Sequence, residues 1–333
     1  MSDTSWQVLL PRLFASAGID AGGEFEVLPL TGGVSSDIVR IRLKDGREFC
    51  AKRALGQLKV AEEWKAPLER NHYEVAWLQR AGAIVPGSAP RVFAEDREHG
   101  VALLEYLPAE DFVLWKSALL SGWADAEVAV AVANVLGRIH AATLNDADVA
   151  AEFPTDHLID ALRFDPYLRF TAGRYPELSQ NILGVLRTTA TTKLALVHGD
   201  VSPKNILVSK RDGHPVLLDA ECAWYGDPAF DAAFCLNHLV LKSVHLPALR
   251  EELLDEAVAF AREWLSHFPD ELRAGLDQRT AALLPCLMLA RIDGKSPVEY
   301  LGEPDRQRVR ELAMPMIASP PRSIVDVIER VSP

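Results

Sequence analysis

The chain has no run of basic residues, no paired-cysteine spacing and no apolar stretch long enough to cross a bilayer. Each absence removes a class of function. Thirty-five lysines and arginines face 47 aspartates and glutamates, a formal charge of −12, which argues against nucleic acid or an anionic membrane as the main partner. An acidic surface suits a cationic or neutral small substrate, and it also suits solubility alone. The four cysteines, Cys50, Cys222, Cys235 and Cys286, are scattered without a CxxC, so they read as reduced core residues in a reducing compartment. The nine histidines show no H-x-x-x-H or H-E-x-x-H spacing, which leaves no zinc signature. The longest apolar run, Ala281–Ala290, contains Pro285 and is about half a membrane span. The N-terminus mixes Asp3, Trp6, Gln7 and Arg12 in place of an apolar secretory core, so the expectation is a cytoplasmic chain with no membrane partner. No internal repeat or low-complexity tract is present, and nothing in the chain signals an oligomeric state. What remains is a sequence of 333 residues, 49% of them apolar, enough for two packed lobes.

The most informative stretch is His198-Gly199-Asp200-Val201-Ser202-Pro203-Lys204-Asn205. Apolar strands, Leu194–Val197 and Ile206–Val208, flank it. Asp219 follows at the end of the run Val216-Leu217-Leu218. An Asp, an Asn five residues later and a second Asp after a buried strand form a phosphoryl-transfer set. Asp200 can orient a substrate hydroxyl and accept its proton, and Asn205 with Asp219 can hold Mg²⁺ on nucleotide phosphates. The order H-x-D-x-x-P-x-N resembles the protein-kinase catalytic loop, with His198 as a hydrogen-bonding brace of the loop. In Asp219-Ala220-Glu221 two acidic residues at i and i+2 can point the same way. Glu221 is then a second metal ligand, direct or through water, or a solvent-facing side chain. Asp231 reads first as a cap on the apolar helix Ala232–Leu241 and, compatibly, as a brace that accepts backbone N–H groups from the catalytic loop.

The first third of the chain reads as the nucleotide side. Residues 1–23 read as a short helix and a turn. Strands are predicted at Glu24–Leu30, Ile38–Leu43 and Glu48–Arg53, the last two joined by the hairpin signal Asp45-Gly46. A helix is predicted from Pro67 to Arg80, ending at Gly82, with further strands at Arg91–Glu95 and Gly100–Tyr106. Strand, glycine turn, strand, hairpin, strand begins an antiparallel sheet and not a Rossmann unit. Lys52 ends the third strand, where it can reach the α and β phosphates if a carboxylate holds it. Glu74 is the preferred partner because Tyr73, Trp77 and Leu78 put its surroundings against the core, with Glu62 and Glu69 as alternatives. Gly32-Gly33-Val34-Ser35-Ser36 lies between the first two strands. Gly33 lets the backbone approach a triphosphate, and Ser35 and Ser36 can donate to it. At the end of the fifth strand the Glu105 carbonyl and the Leu107 amide are, within a kinase-like frame, the positional candidates to bond adenine; outside that frame this is an ordinary strand end. Leu107–Asp111 breaks the pattern, which puts an N-terminal lobe at 1–106 and a C-terminal lobe at 107–333.

Beyond that break the chain turns helical. Asp125–Ala142 carries Val128, Val132, Val135, Leu136 and Ile139 along one side, a buried helix. Residues 143–193 are an aromatic-rich insertion, and helices follow the catalytic strands to the end. Only seven residues separate Asp219 from Asp227, too few for an activation segment with a peptide platform, which argues against a protein substrate.

Taken together, these motifs resemble the aminoglycoside phosphotransferase and choline kinase superfamily, from about residue 24 to about residue 300. The resemblance implies an α+β, two-lobed protein-kinase-like fold, with an antiparallel-sheet N-lobe and a mainly helical C-lobe. It also implies ATP and Mg²⁺ as cofactors and a small-molecule hydroxyl as acceptor. Lys52-Arg53-Ala54-Leu55, Glu63-Trp64, Leu68-Glu69-Arg70, Tyr73-Glu74, the D-x-E at Asp219 and Glu221, and Phe164-Asp165-Pro166-Tyr167 are similar to 5-methylthioribose kinases. Asn205 departs from that group and agrees with aminoglycoside kinases. The acceptor expectation is therefore a sugar of the methylthioribose type. The alternatives are an aminoglycoside, choline or another amino alcohol, or a silent nucleotide-binding regulatory protein. The insertion and the C-terminal helices would build the acceptor pocket. Within it, Arg291 in Arg291-Ile292-Asp293-Gly294 is either a substrate-binding residue or part of a helix C-cap.

Overall fold

The computed structural model describes residues 5–30, 36–56 and 67–332, which form two compact units, Met1–Ala109 and Glu110–Pro333. The first unit is an antiparallel sheet with a helix before it and a helix within it. The helix α1 (Trp6–Ser16) is followed by β1 (Phe25–Leu30), β2 (Ser36–Leu43) and β3 (Glu48–Ala54). Then come α2 (Arg70–Ile84), β4 (Val92–Asp96) and β5 (Val101–Glu105). The sheet order is β1-β2-β3-β5-β4. Asp45-Gly46 turns the β2–β3 hairpin as expected. Gly46 has φ +87°, open to glycine without a Cβ penalty, and the Arg47 N–H donates to Asp45 Oδ1 at 3.0 Å.

Strand alternation sorts the faces of this sheet. Phe49 and Ala51 join Val39, Ile41 and Leu103 in a cluster with Leu9, Leu10, Leu13 and Phe14 of α1. The residue after Ala51, Lys52, therefore leaves on the opposite face, toward α2. The helix α2 was expected to begin near Pro67 and to end at Gly82. It runs instead from Arg70 to Ile84, with Pro67 accepting the Arg70 N–H in the turn before it. Gly82 costs a helix about 1 kcal/mol relative to alanine, less than burial of Trp77, Leu78 and Ala81 returns.

The second unit opens with a short strand, β6 (Phe112–Leu114), that the sequence did not signal. It continues with α3 (Trp115–Leu120), α4 (Ala126–Ala142) and α5 (Ala147–Glu152). Asp125 caps α4 by accepting the Glu127 N–H at 3.0 Å, and Val128, Val132, Val135, Leu136 and Ile139 are all buried. The aromatic-rich stretch is ordered. It comprises α6 (Asp156–Ile159), a π-helical segment over Asp160–Arg169, α7 (Phe170–Arg174) and α8 (Ser179–Thr191). Two small antiparallel sheets follow. β7 (Ala195–Val197) pairs with β10 (Trp224–Gly226), and β8 (Ile206–Ser209) lies between β6 and β9 (Pro215–Leu217).

Five helices complete the unit: α9 (Ala229–His245), α10 (Arg250–Ser266), α11 (Asp270–Asp293), α12 (Glu303–Ala318) and α13 (Ile324–Val331). From Ala229 to Val244 every residue of α9 is buried, so it is the central post of the helical layer. Among the described residues no single helix is long and apolar enough to cross a membrane. The cysteines are free thiols, with Cys222, Cys235 and Cys286 buried and Cys50 partly exposed.

Candidate active site

In the first unit Lys52 and Glu74 meet. Lys52 Nζ donates to both carboxylate oxygens of Glu74 at 2.8 Å, and the two residues are 5% and 3% exposed. Two buried charges at this distance are stable only as a pair. Glu69, one alternative partner, is exposed, while Glu62 lies outside the described residues. Gly33 and Ser35 also lie outside them. Ser36 is buried at the start of β2, opposite Ala54. Glu105 ends β5 with an exposed side chain, its N–H donating to the Arg91 carbonyl at 2.8 Å and its Oε2 accepting the Arg91 N–H at 3.1 Å. Leu107 follows two residues on and is half-buried.

In the second unit the loop from His198 to Asn205 leaves β7 and enters β8. Its geometry is fixed from below by one carboxylate. Asp231, wholly buried on α9, accepts the His198 N–H at 2.7 Å and the Gly199 N–H at 2.8 Å. The bracing reading of Asp231 holds, and the capping one does not. Asp227 is the residue whose carboxylate accepts the Ala229 N–H at the helix start, and Arg279 grips it at 2.7 and 3.1 Å. Asp231 is itself held by His140 of α4, whose Nε2 lies 3.2 Å away, while His140 Nδ1 accepts the Trp264 indole N–H at 3.0 Å. The indole bond makes Nδ1 the acceptor, so the His140 proton sits on Nε2, facing Asp231.

His198 is assigned in the same way. Its Nδ1 accepts the Asp200 N–H at 3.2 Å, so Nε2 donates to the Leu218 carbonyl at 3.0 Å. Burial holds this imidazole below its ordinary pKa, against the pull of Asp231 and Asp200, which suits a neutral brace. Gly199 has φ +80°, and a Cβ there would lie 2.5 Å from the Cys222 carbonyl oxygen, so no side chain fits.

Asp200 is 2% exposed. Arg163, from the π-helical segment, reaches its Oδ2 at 2.7 Å and also donates through Nε to the Gly199 carbonyl at 2.9 Å. Lys204 lies 3.3 Å from the same oxygen. Burial pushes the Asp200 carboxyl up, but Arg163 and then Lys204 outweigh it and hold the group below the usual carboxylate range. Asp200 in turn raises the Lys204 ammonium above its ordinary value. Neither Arg163 nor Lys204 was singled out from the sequence. Lys204 sits inside the loop motif, and its i, i+4 spacing from Asp200 was the available signal. Arg163 adjoins the noted Phe164–Tyr167 stretch, but only the folded backbone aims it.

Asn205 donates through Nδ2 to the Asp200 carbonyl at 3.1 Å, which fixes its amide and leaves Oδ1 as the acceptor atom. The β8–β9 register, Ile206 opposite Leu217, continues outward with the Leu218 N–H donating to the Asn205 carbonyl at 2.8 Å. That register brings Asp219 to the loop. Asp219 has φ +66°, a conformation that non-glycine residues rarely adopt, and a carboxylate oxygen of it lies within 4.8 Å of one of Glu221. Glu221 is 6% exposed, which removes the solvent-facing reading. An amide oxygen and two carboxylates are hard oxygen donors, of the type that suits Mg²⁺. Arg291, 8% exposed near the end of α11, donates through Nη1 to Tyr167 Oη and Ser296 Oγ, both at 3.1 Å, and to the Ser296 carbonyl. Gly294 follows the helix as its C-cap residue, with its N–H on the Ala290 carbonyl, which bears out the C-cap reading of this stretch.

A family model described as the phosphotransferase enzyme family matches residues 26–268. The chain belongs to this family. Among curated proteins it is 26% identical over 230 residues to the methylthioribose kinase of Erwinia tasmaniensis, covering 60% of this chain and 55% of that one. It is 25% identical over 255 residues to methylthioribose kinase 2 of Oryza sativa subsp. japonica, covering 66% and 58%. The chain thus spans little more than half the length of these relatives. Among solved structures, an ethanolamine kinase of Plasmodium vivax superposes with a TM-score of 0.54 at 11% identity, covering 99% of this chain and 94% of that one. At that identity the likeness speaks for the fold, and the fold is the protein-kinase-like one of the phosphotransferase family: an antiparallel sheet first, helices after.

Proposed function

We propose that the chain is an ATP- and Mg²⁺-dependent small-molecule kinase that transfers the γ-phosphoryl group to a hydroxyl. The observation that carries this reading is the state of Asp200: a buried carboxylate, kept ionised by Arg163 and Lys204, on a loop that α9 holds rigid. An ionised Asp there orients the acceptor hydroxyl. As the oxygen–phosphorus bond forms and the bond from the γ-phosphorus to the bridging oxygen breaks, the hydroxyl proton passes to Asp200. Lys52, held by Glu74, would position the α and β phosphates. Gly33, Ser35 and Ser36 would approach the triphosphate, and the Glu105 carbonyl and Leu107 amide would bond adenine. Asn205 Oδ1, Asp219 and Glu221 would hold Mg²⁺, which supplies neutralisation of phosphate charge. The residues themselves supply positioning, which accounts for most of the catalysis in a loose transition state.

The relatives support a sugar-type acceptor, methylthioribose being the one in their names. The test is direct. Asp200→Ala should lower kcat by at least a hundredfold in a coupled ADP-release assay, with Mg·ATP affinity changed less than twofold. Turnover near that of the wild type would sink the mechanism.

A further inference from the structure

The helix α9 carries Phe234, His238 and Lys242 at helical spacing on one side. His238 is 5% and Lys242 1% exposed. The ring of Phe234 lies 5.7 Å from that of His238 and 5.8 Å from that of Tyr167. Tyr167 accepts from Arg291, whose guanidinium carbon stands 5.5 Å from the ring centre, and the guanidinium carbon of Arg163, the partner of Asp200, stands 5.7 Å from the same centre. Lys242 Nζ lies 5.1 Å from the centre of the Tyr300 ring. A continuous line of side chains therefore runs from Asp200 through Tyr167 to Lys242.

Its charges do not balance. The hydrogen-bond partners of Arg291 are neutral: Tyr167 Oη and Ser296. Among the described residues, the hydrogen-bond partner of Lys242 Nζ is the His238 carbonyl at 3.4 Å. Neither cation has a carboxylate partner among the described residues. The carboxylates nearby are already engaged, Asp200 by Arg163 and Lys204, and Glu299 by Lys116 of α3. Three buried polar atoms also lack a hydrogen-bond partner there: Arg291 Nε, His238 Nε2 and Tyr300 Oη. Buried polar atoms in a folded protein are almost always satisfied, and an unpaired buried cation is strongly unfavourable. Arginine cannot relieve this by losing its proton. Burial, then the neighbouring Lys116, pushes Lys242 down to about 7, the response of a group that lacks an anion. A cationic acceptor would find no free carboxylate here and several like charges.

Resting on the phosphotransferase reading, we propose that the acceptor bears an anionic group, a carboxylate in the simplest case. This group sits between Arg291 and Lys242 and takes hydrogen bonds from His238 and Tyr300, while the acceptor hydroxyl faces Asp200. The substrate class is then a polyhydroxy acid, which narrows the sugar type to its acids, departs from the methylthioribose of the relatives' names and excludes an amine. Arg291 becomes a substrate-binding residue, and Lys242 and His238 are assigned with it.

The experiment uses matched hydroxylated compounds that differ in one group: gluconate, sorbitol and glucosamine; glycerate, glycerol and 3-amino-1,2-propanediol. ADP release from the full chain with Mg·ATP should be at least tenfold faster with an acid than with its neutral and ammonium counterparts. Isothermal titration should give the acids at least tenfold tighter binding, and Lys242→Met should abolish that preference. The same variant should fold with a higher Tm, because it removes an unpaired buried charge at similar volume. Equal binding of acid and neutral members, an unchanged preference in Lys242→Met, or a lower Tm in that variant would each overturn the proposal. A chain that shows no thermal shift with Mg·ATP would fail as a phosphotransferase, while the titration still reads the pocket by itself.

Discussion

Lys52 and Glu74 depend on each other. At 5% and 3% exposure the pair is cut off from water, so losing one partner strands the other. Glu74→Gln should destabilise the chain by about 3–5 kcal/mol in urea unfolding. It should also raise KM for ATP about tenfold or more, since the lysine would no longer be held. The double substitution Lys52→Met with Glu74→Leu should restore most of the stability and none of the ATP affinity. This pair was legible in the sequence because strand alternation puts Lys52 opposite Ala51, and apolar neighbours put Glu74 inward. Arg163 was not. Its direction depends on a π-helical turn around Pro166, and no hydrophobic period announces a helix of that pitch.

At the level of elements, α9 does two things that a sequence reading separates. Its apolar run, Ala232–Leu241, marked it as a helix in the sequence. That its Asp231 would accept two N–H groups from a loop more than thirty residues earlier needed the tertiary arrangement, because a capping aspartate and a bracing one look alike in sequence. Asp231→Ala should leave two buried N–H groups without an acceptor and His140 without its partner. The expected loss is about 3 kcal/mol or more by urea unfolding, given that hydrogen bonds to charged groups contribute about 1.5–3 kcal/mol each. A loss under 1 kcal/mol would mean that the loop is held by its other bonds. The end of α2 teaches the converse. Gly82 is a weak stop, and the helix runs two residues past it to Ile84 before the buried, extended Val85 ends it.

For the whole molecule, net charge and the charges around the site are separate quantities. A charge of −12 suits a cationic or neutral substrate and suits solubility equally, yet Arg163, Lys242 and Arg291 lie in the interior beyond Asp200, with Lys204 exposed at its edge. Surface charge reports solubility; a buried group responds to what lies within a few ångströms of it. This has a measurable signature in stability. Lys242 faces Lys116 of α3, Arg291 of α11, Cys235 and His238 of its own helix, and Glu299 and Tyr300. Folding lowers its pKa from 10.5 to about 7. Between those values the unfolded chain holds the extra proton, so the folded state gains stability as pH rises through the window and is most penalised below it. The Tm advantage of Lys242→Met over the wild type should therefore be largest near pH 6 and nearly gone by pH 10. A difference independent of pH would mean that Lys242 does not titrate in this range.

The grip of Asp231 also sets how the loop from His198 to Asn205 can open. Two of its amides are tied to a helix buried along almost its whole length, so the loop cannot fray by itself as most loops do. Hydrogen exchange at His198 and Gly199 should then be as slow as in the centre of α9, and should speed up only under conditions that begin to unfold the helical unit. The loop that carries Asp200 is, in exchange terms, part of the chain's most durable core.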